Sequence, residues 1–163
     1  MRISNFNTTF KFKKKSPREL LTKKELSVGF KNAWDLIDDN FRKKNYVAAY
    51  FLCWSIFEDR LNSAYKVSLW YSRSKEFTPS KEPEFNDIDN ENNSTKILQL
   101  FDDGLIDVEL KDNLLKVNKE RNYRFHSSIW SLDKFTGESI SNCITGAREL
   151  DRVRIKQKKT MRK

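Results

Sequence analysis

The chain has a single histidine in 163 residues, His126, so the one unperturbed side chain able to shuttle a proton near neutral pH stands at a known place. One histidine with two cysteines leaves too few ligands for a zinc site of the usual types. Cys53 and Cys143 have no second cysteine near them in sequence, which argues against a disulfide framework and against a CxxC site; each falls on an apolar helical stretch and reads as core. Gly 4 and Pro 3 are too few for the many tight turns of a strand-rich fold, so the composition favours long helices. No apolar run approaches the roughly 18 residues of a membrane span and no signal peptide opens the chain. The expected setting is therefore cytoplasmic and reducing, with no membrane partner.

What is abundant is positive charge, and it is unevenly placed. Residues 1–24 carry +7 and residues 148–163 carry +6, so a whole-chain charge of +9 leaves the 123 residues between them at −4. Basic ends on a slightly acidic body suit backbone-directed binding of RNA or DNA; solubilising ends are the plainer reading of the same pattern. The residues expected to touch nucleic acid are Lys13, Lys14 and Lys15 near the start and Arg154, Lys156, Lys158 and Lys159 near the end.

A chain of this length is one domain with a real core. Residues 1–15, with Phe10-Lys11-Phe12-Lys13, form an extended basic N-terminal arm. Ser16-Pro17, then Thr22 with Glu25 as a capping box, lead into a helix on which Leu26, Phe30, Trp34, Ile37 and Phe41 recur at three- and four-residue steps. Asn45 caps a second helix from Tyr46 to about Ser72, apolar nearly all round, with a stripe of Phe51, Trp54, Glu58, Leu61 and Tyr65. A carboxylate on such a stripe needs a cation or an opening to solvent. Residues 73–95 hold two prolines and six acids and read as a long polar loop. Ser94 caps a short helix closed by Gly104, and Asp107 starts another with Val108, Leu110, Leu114, Leu115 and Val117. Thr136-Gly137 marks a turn before a last amphipathic helix, and 156–163 is a basic tail. The fold class expected is all-α, an up-and-down bundle of four to five helices occupying 16–155.

The fourth helix leads directly into Arg121-Asn122-Tyr123-Arg124-Phe125-His126. A guanidinium fixes and neutralises phosphate, and an imidazole passes a proton, so the pair suggests chemistry on RNA. Five residues correspond to about 140° around a helix, so the two flank a groove or straddle a helix end. Ordinary structural roles stand beside this reading. His126 is then a satisfied helix histidine, Arg121 an ion-pair partner of Glu120 or Asp112, Asn122 a helix cap, and Glu58 a residue at an amphipathic boundary. Arg124 either meets RNA phosphate or faces water, and Trp54, Phe57 and Trp70 read as core.

An arginine, then Asn, then a histidine four to six positions after the arginine, on the fourth helix of a small bundle, resembles the HEPN family. The match lies in Arg121, Asn122 and His126, and the helix order fits over residues 23–155. The basic arm, the acidic loop at 73–95 and Arg124 inside the motif are departures from the pattern. The resemblance implies a metal-independent endoribonuclease without cofactors, in a toxin-antitoxin or phage-defence setting. Its active site would form in a homodimer and its substrate would be RNA, with a cognate antitoxin protein as a further partner. By the same resemblance Arg121, Asn122 and His126 are the catalytic residues, and Glu58 pairs with Arg121 and aims it. Each chain has one imidazole, whereas cleavage by the ribose 2'-OH needs a proton taken and a proton given. A two-fold dimer would supply the second imidazole. Two alternatives remain: an inert HEPN-like module that binds RNA or protein, and a basic non-enzymatic nucleic-acid-binding protein.

Overall fold

The computed structural model describes residues 23–74, 88, 91–126 and 135–160; the arm at 1–15, Thr22 of the capping box and most of the acidic loop lie outside them. The described residues form an all-α bundle of five helices: α1 Lys23–Arg42, α2 Tyr46–Ser74, α3 Asn93–Asp102, α4 Val108–His126 and α5 Gly137–Thr160. The last helix continues to Thr160, so the first five residues of the basic tail are helical.

Local chemistry sets the helix ends. Between α1 and α2 the chain turns through Lys44, which has a positive φ of 59°, while Asn45 N–H donates to the Asn40 carbonyl at 2.9 Å. The Asn45 carbonyl accepts from Ala49 at 3.1 Å, placing Asn45 at the cap position of α2, and its side-chain amide turns back to Asn40. The cap of α3 is Asn92, whose side chain accepts from Ser94 N–H at 2.8 Å; the Ser94 cap expected from sequence is displaced by two residues. Ser94 is spent elsewhere, accepting from the Asn118 amide at 2.9 Å. At the other end, Gly104 N–H donates to Phe101 O (2.8 Å) and Leu105 N–H to Leu100 O (3.0 Å), closing α3 as a Schellman motif. Gly104 sits at φ +67°, where a Cβ would be strained. Asp107 caps α4 as the sequence suggests, its carboxylate accepting from Leu110 N–H at 2.8 Å. Thr136-Gly137 is the start of α5, with Ser139 N–H donating to Thr136 Oγ1 at 3.3 Å.

α2 is the central element and packs against α1, α3 and α5, while α4 packs on α3 and α5. This arrangement explains a helix that is apolar on most sides. Tyr50, Cys53, Phe57, Leu61 and Ala64 of α2 are fully buried with Ile37 of α1, Ile97 and Leu100 of α3, Leu114 of α4, and Ile140, Cys143 and Leu150 of α5. Burying side chains of this size stabilises by about 1.5–3 kcal/mol each for the larger ones. Gly146 lets α5 approach closely: a Cβ there would meet Phe57 at 3.0 Å and Leu114 at 3.2 Å. The two cysteines, distant in sequence, meet in this core. Cys53 Sγ donates to the Ile140 carbonyl at 3.9 Å, and its contact with Cys143, together with burial, pushes the Cys143 thiol well up. Arg60 of α2 reaches Asp151 of α5 at 3.2 Å, fastening the rim of the same interface.

Candidate functional site

α4 presents two kinds of face, and the residues singled out by sequence divide between them. Leu114, Val117 and Asn118 face the bundle. Arg121, one turn beyond Val117, continues that side. Its guanidinium lies over the Trp54 ring of α2, 5.3 Å from the centroid, and donates through Nη1 to Asn122 Oδ1 at 3.0 Å. Trp54 is 3% exposed and stacks on Phe57 at 4.9 Å, so the platform under Arg121 is itself held by the core. A cation held over an indole in a partly buried place gains about 1–2 kcal/mol. His126 is the last residue of α4, which fixes its backbone five positions after Arg121; its side chain lies outside the described residues.

Glu58 stands one helical turn after Trp54, on the same side of α2. Its carboxylate accepts from Asn93 Nδ2 of α3 at 3.3 Å. Glu58 is thus engaged by α3, while the contacts of Arg121 include Trp54 and Asn122. The first turn of α3 lies beside Glu58 and supplies that amide. A polar seam follows from this docking. Asn118, 5% exposed, donates to Ser94, and Lys96, 2% exposed, donates to Asn62 Oδ1 at 2.7 Å. Asn93, Ser94 and Asn118 thus join α2, α3 and α4 beside Arg121; sequence reasoning gave Ser94 only a capping role and passed over Asn93 and Asn118. The signal available was weak, a run of Asn and Ser that reads equally well as loop.

Arg124 is largely turned into the bundle. Its side chain is 13% exposed, pairs with Glu120 at 4.0 Å, and lies over the rings of Phe135 (5.5 Å) and Tyr50 (5.8 Å). Beneath it the Tyr50 hydroxyl is buried with no hydrogen-bond partner in the described structure, and burial pushes its pKa up, with Cys143 adding to the shift and Arg124 opposing it. The basic residues of α5 also separate. Arg154 is engaged by Asp151 at 2.8 Å, whereas Lys156 is exposed. Lys158 and Lys159 lie on the last turn of α5 with side chains outside the described residues, as are Lys13, Lys14 and Lys15. No group of three or more His, Cys, Asp or Glu that could hold a metal ion occurs among the described residues. No described helix is long and apolar enough to cross a membrane.

The site therefore consists of an arginine held on an indole, an asparagine bonded to it, and a helix that ends at the histidine. Comparison with protein-family models, with curated proteins and with solved structures finds no match. The fold defines the chain as an all-helical bundle.

Proposed function

We propose that the chain is a HEPN-like, metal-independent endoribonuclease acting as a homodimer in a toxin-antitoxin or phage-defence setting. The observation that carries this reading is the Arg121–Asn122 pair, held against Trp54 on the helix that ends at His126. In the dimer, two copies of His126 share one cleft. One takes the proton of the ribose 2'-OH as it attacks the neighbouring phosphorus. The other gives a proton to the departing 5'-oxygen, leaving a 2',3'-cyclic phosphate and a 5'-hydroxyl. Arg121 stabilises the charge growing on the phosphoryl oxygens, a contribution of about 3 kcal/mol for a well-placed donor. Asn122 holds the guanidinium, and Glu58 acts at one remove by fixing the first turn of α3 through Asn93.

A second reading, an inert module that binds RNA or a protein such as an antitoxin, draws on the packing role of the arginines. Arg121 and Arg124 both lie on aromatic rings of α2, as structural arginines do. One experiment separates the two. Purified protein is incubated with RNA in EDTA, and His126→Ala is compared at equal helical content and oligomeric state. Cleavage lost in the variant supports the ribonuclease; cleavage that persists refutes it, and RNA bound but never cut favours the inert module.

A further inference from the structure

The outward face of α4, on which His126 falls, also carries Lys116, Lys119 and Tyr123, which the proposed chemistry does not use. Lys116, Lys119, Tyr123 and His126 follow one another at steps of three, four and three residues, so their positions form one stripe about 15 Å long by helical rise. Both lysines are exposed, and Tyr123 is 58% exposed. Phe41 of α1 is another exposed large aromatic. Around Tyr123 the surface is concave, about 260 Å³, lined by Lys116, Lys119, Glu120, Tyr123 and Arg124. The one acid in that lining, Glu120, is held by Arg124 at 4.0 Å, and Asp112, one turn before Lys116, is held by Lys111 at 3.2 Å. The lysines thus set the local charge.

We propose that this stripe is a single-stranded RNA subsite, in which Tyr123 stacks an unpaired base and Lys116 and Lys119 hold the adjoining phosphates, leading the strand toward His126. The assignment of RNA as ligand rests on the ribonuclease reading above. An aromatic exposed singly is ordinary on a protein surface. An aromatic flanked by cations, over a shallow hollow and in register with the proton-transferring residue, has the make-up of a stacking platform beside a backbone track. The hollow is smaller than the usual pocket for a whole small-molecule ligand, which suits one base of a longer strand. Stacking ignores base identity, so the subsite selects unpaired over paired RNA and leaves sequence unread.

The test uses the full chain carrying His126→Ala, so that the probe is not consumed, and a fluorescein-labelled oligouridylate read by anisotropy. Tyr123→Ala is expected to weaken binding about tenfold and Tyr123→Phe to hold it within twofold, because stacking needs the ring and not the hydroxyl. Replacing Lys116 and Lys119 together with Gln is expected to reduce the slope of log K against log salt by about 1.4, the single-strand value for two phosphate contacts. Binding unchanged in Tyr123→Ala would overturn the proposal. So would equal losses in Tyr123→Phe and Tyr123→Ala, or the same loss on a blunt RNA duplex. An acidic polypeptide bound through Tyr123 where the oligouridylate is not would replace it with a protein-docking surface. The two readings fail separately: RNA held through Tyr123 yet never cut by the unaltered chain keeps the subsite and removes the nuclease. RNA cut normally with Tyr123→Ala binding intact does the reverse.

Discussion

Two glycines inside helices offer the same substitution with opposite expected signs. Gly29 of α1 has no atom of the described residues within 4 Å of where a Cβ would sit, whereas at Gly146 of α5 that atom would lie 3.0 Å from Phe57 Cε2 and 3.2 Å from Leu114 Cδ2. Replacing a helical glycine with alanine gains about 1 kcal/mol by restricting the unfolded chain and favouring the helix. At Gly29 that gain is unopposed, and the melting temperature is expected to rise by roughly 2–4 °C. At Gly146 the contacts are rigid, since Phe57 and Leu114 are both 0% exposed and have nowhere to move. Overpacking of this kind costs about 1–3 kcal/mol, so Gly146→Ala is expected to lose about 1 kcal/mol net. The two variants should then differ by about 2 kcal/mol in urea denaturation followed by far-UV circular dichroism, at one fixed protein concentration. A Gly146→Ala protein as stabilised as Gly29→Ala would refute the close approach of α2, α4 and α5 on which the placement of Arg121 depends.

Two further outcomes follow from the buried polar groups beneath Arg124. The Tyr50 hydroxyl is buried without a hydrogen-bond partner among the described residues, so Tyr50→Phe is expected to raise stability by about 1 kcal/mol; a loss of that size would mean the hydroxyl is bonded in solution. The second concerns alkaline pH. Cys53 and burial raise the Cys143 thiol, and burial raises Tyr50, so in both cases the folded state favours the protonated form. Their stabilisation is complete below the ordinary pKa of each group and declines as pH rises above it. From pH 8 to 10 Cys143 alone, starting from its ordinary value of 9.0, is expected to remove about 1.4 kcal/mol. Cys143→Ser, which does not titrate there, should flatten the urea midpoint across that range; parallel curves for the two proteins would contradict the assignment.

The helix order was legible in the sequence because α1 carries strong apolar periodicity, because α2 is a long run apolar on most sides, and because Asp107 and Gly104 punctuate the chain unambiguously. At the start of α3 the same reasoning faced Asn92, Asn93 and Ser94, each chemically able to cap. The choice was made by tertiary contacts, since Ser94 is claimed by Asn118 and Asn93 by Glu58. Glu58 illustrates the general limit. Its need for a partner could be read from the apolar stripe of α2, but which element would reach it depended on how α3 docks, a pairing 35 residues away in sequence. The Trp54 platform was hidden for a related reason: a buried tryptophan reads as core, and here it is core on one side and an arginine seat on the other. The face of α4 on which Tyr123 lies was likewise invisible until the packing of Arg121 and Val117 showed which side turns outward.

The meeting of Cys53 with Cys143 makes the bundle carry its own gauge of opening. Both thiols are fully enclosed on the facing sides of α2 and α5, so a thiol reagent reaches them only when those helices part. Trapping rates measured under native conditions therefore report the free energy of that separation. Because α5 also presses Gly146 against α4, the same rate senses whether the helix bearing Arg121 is seated.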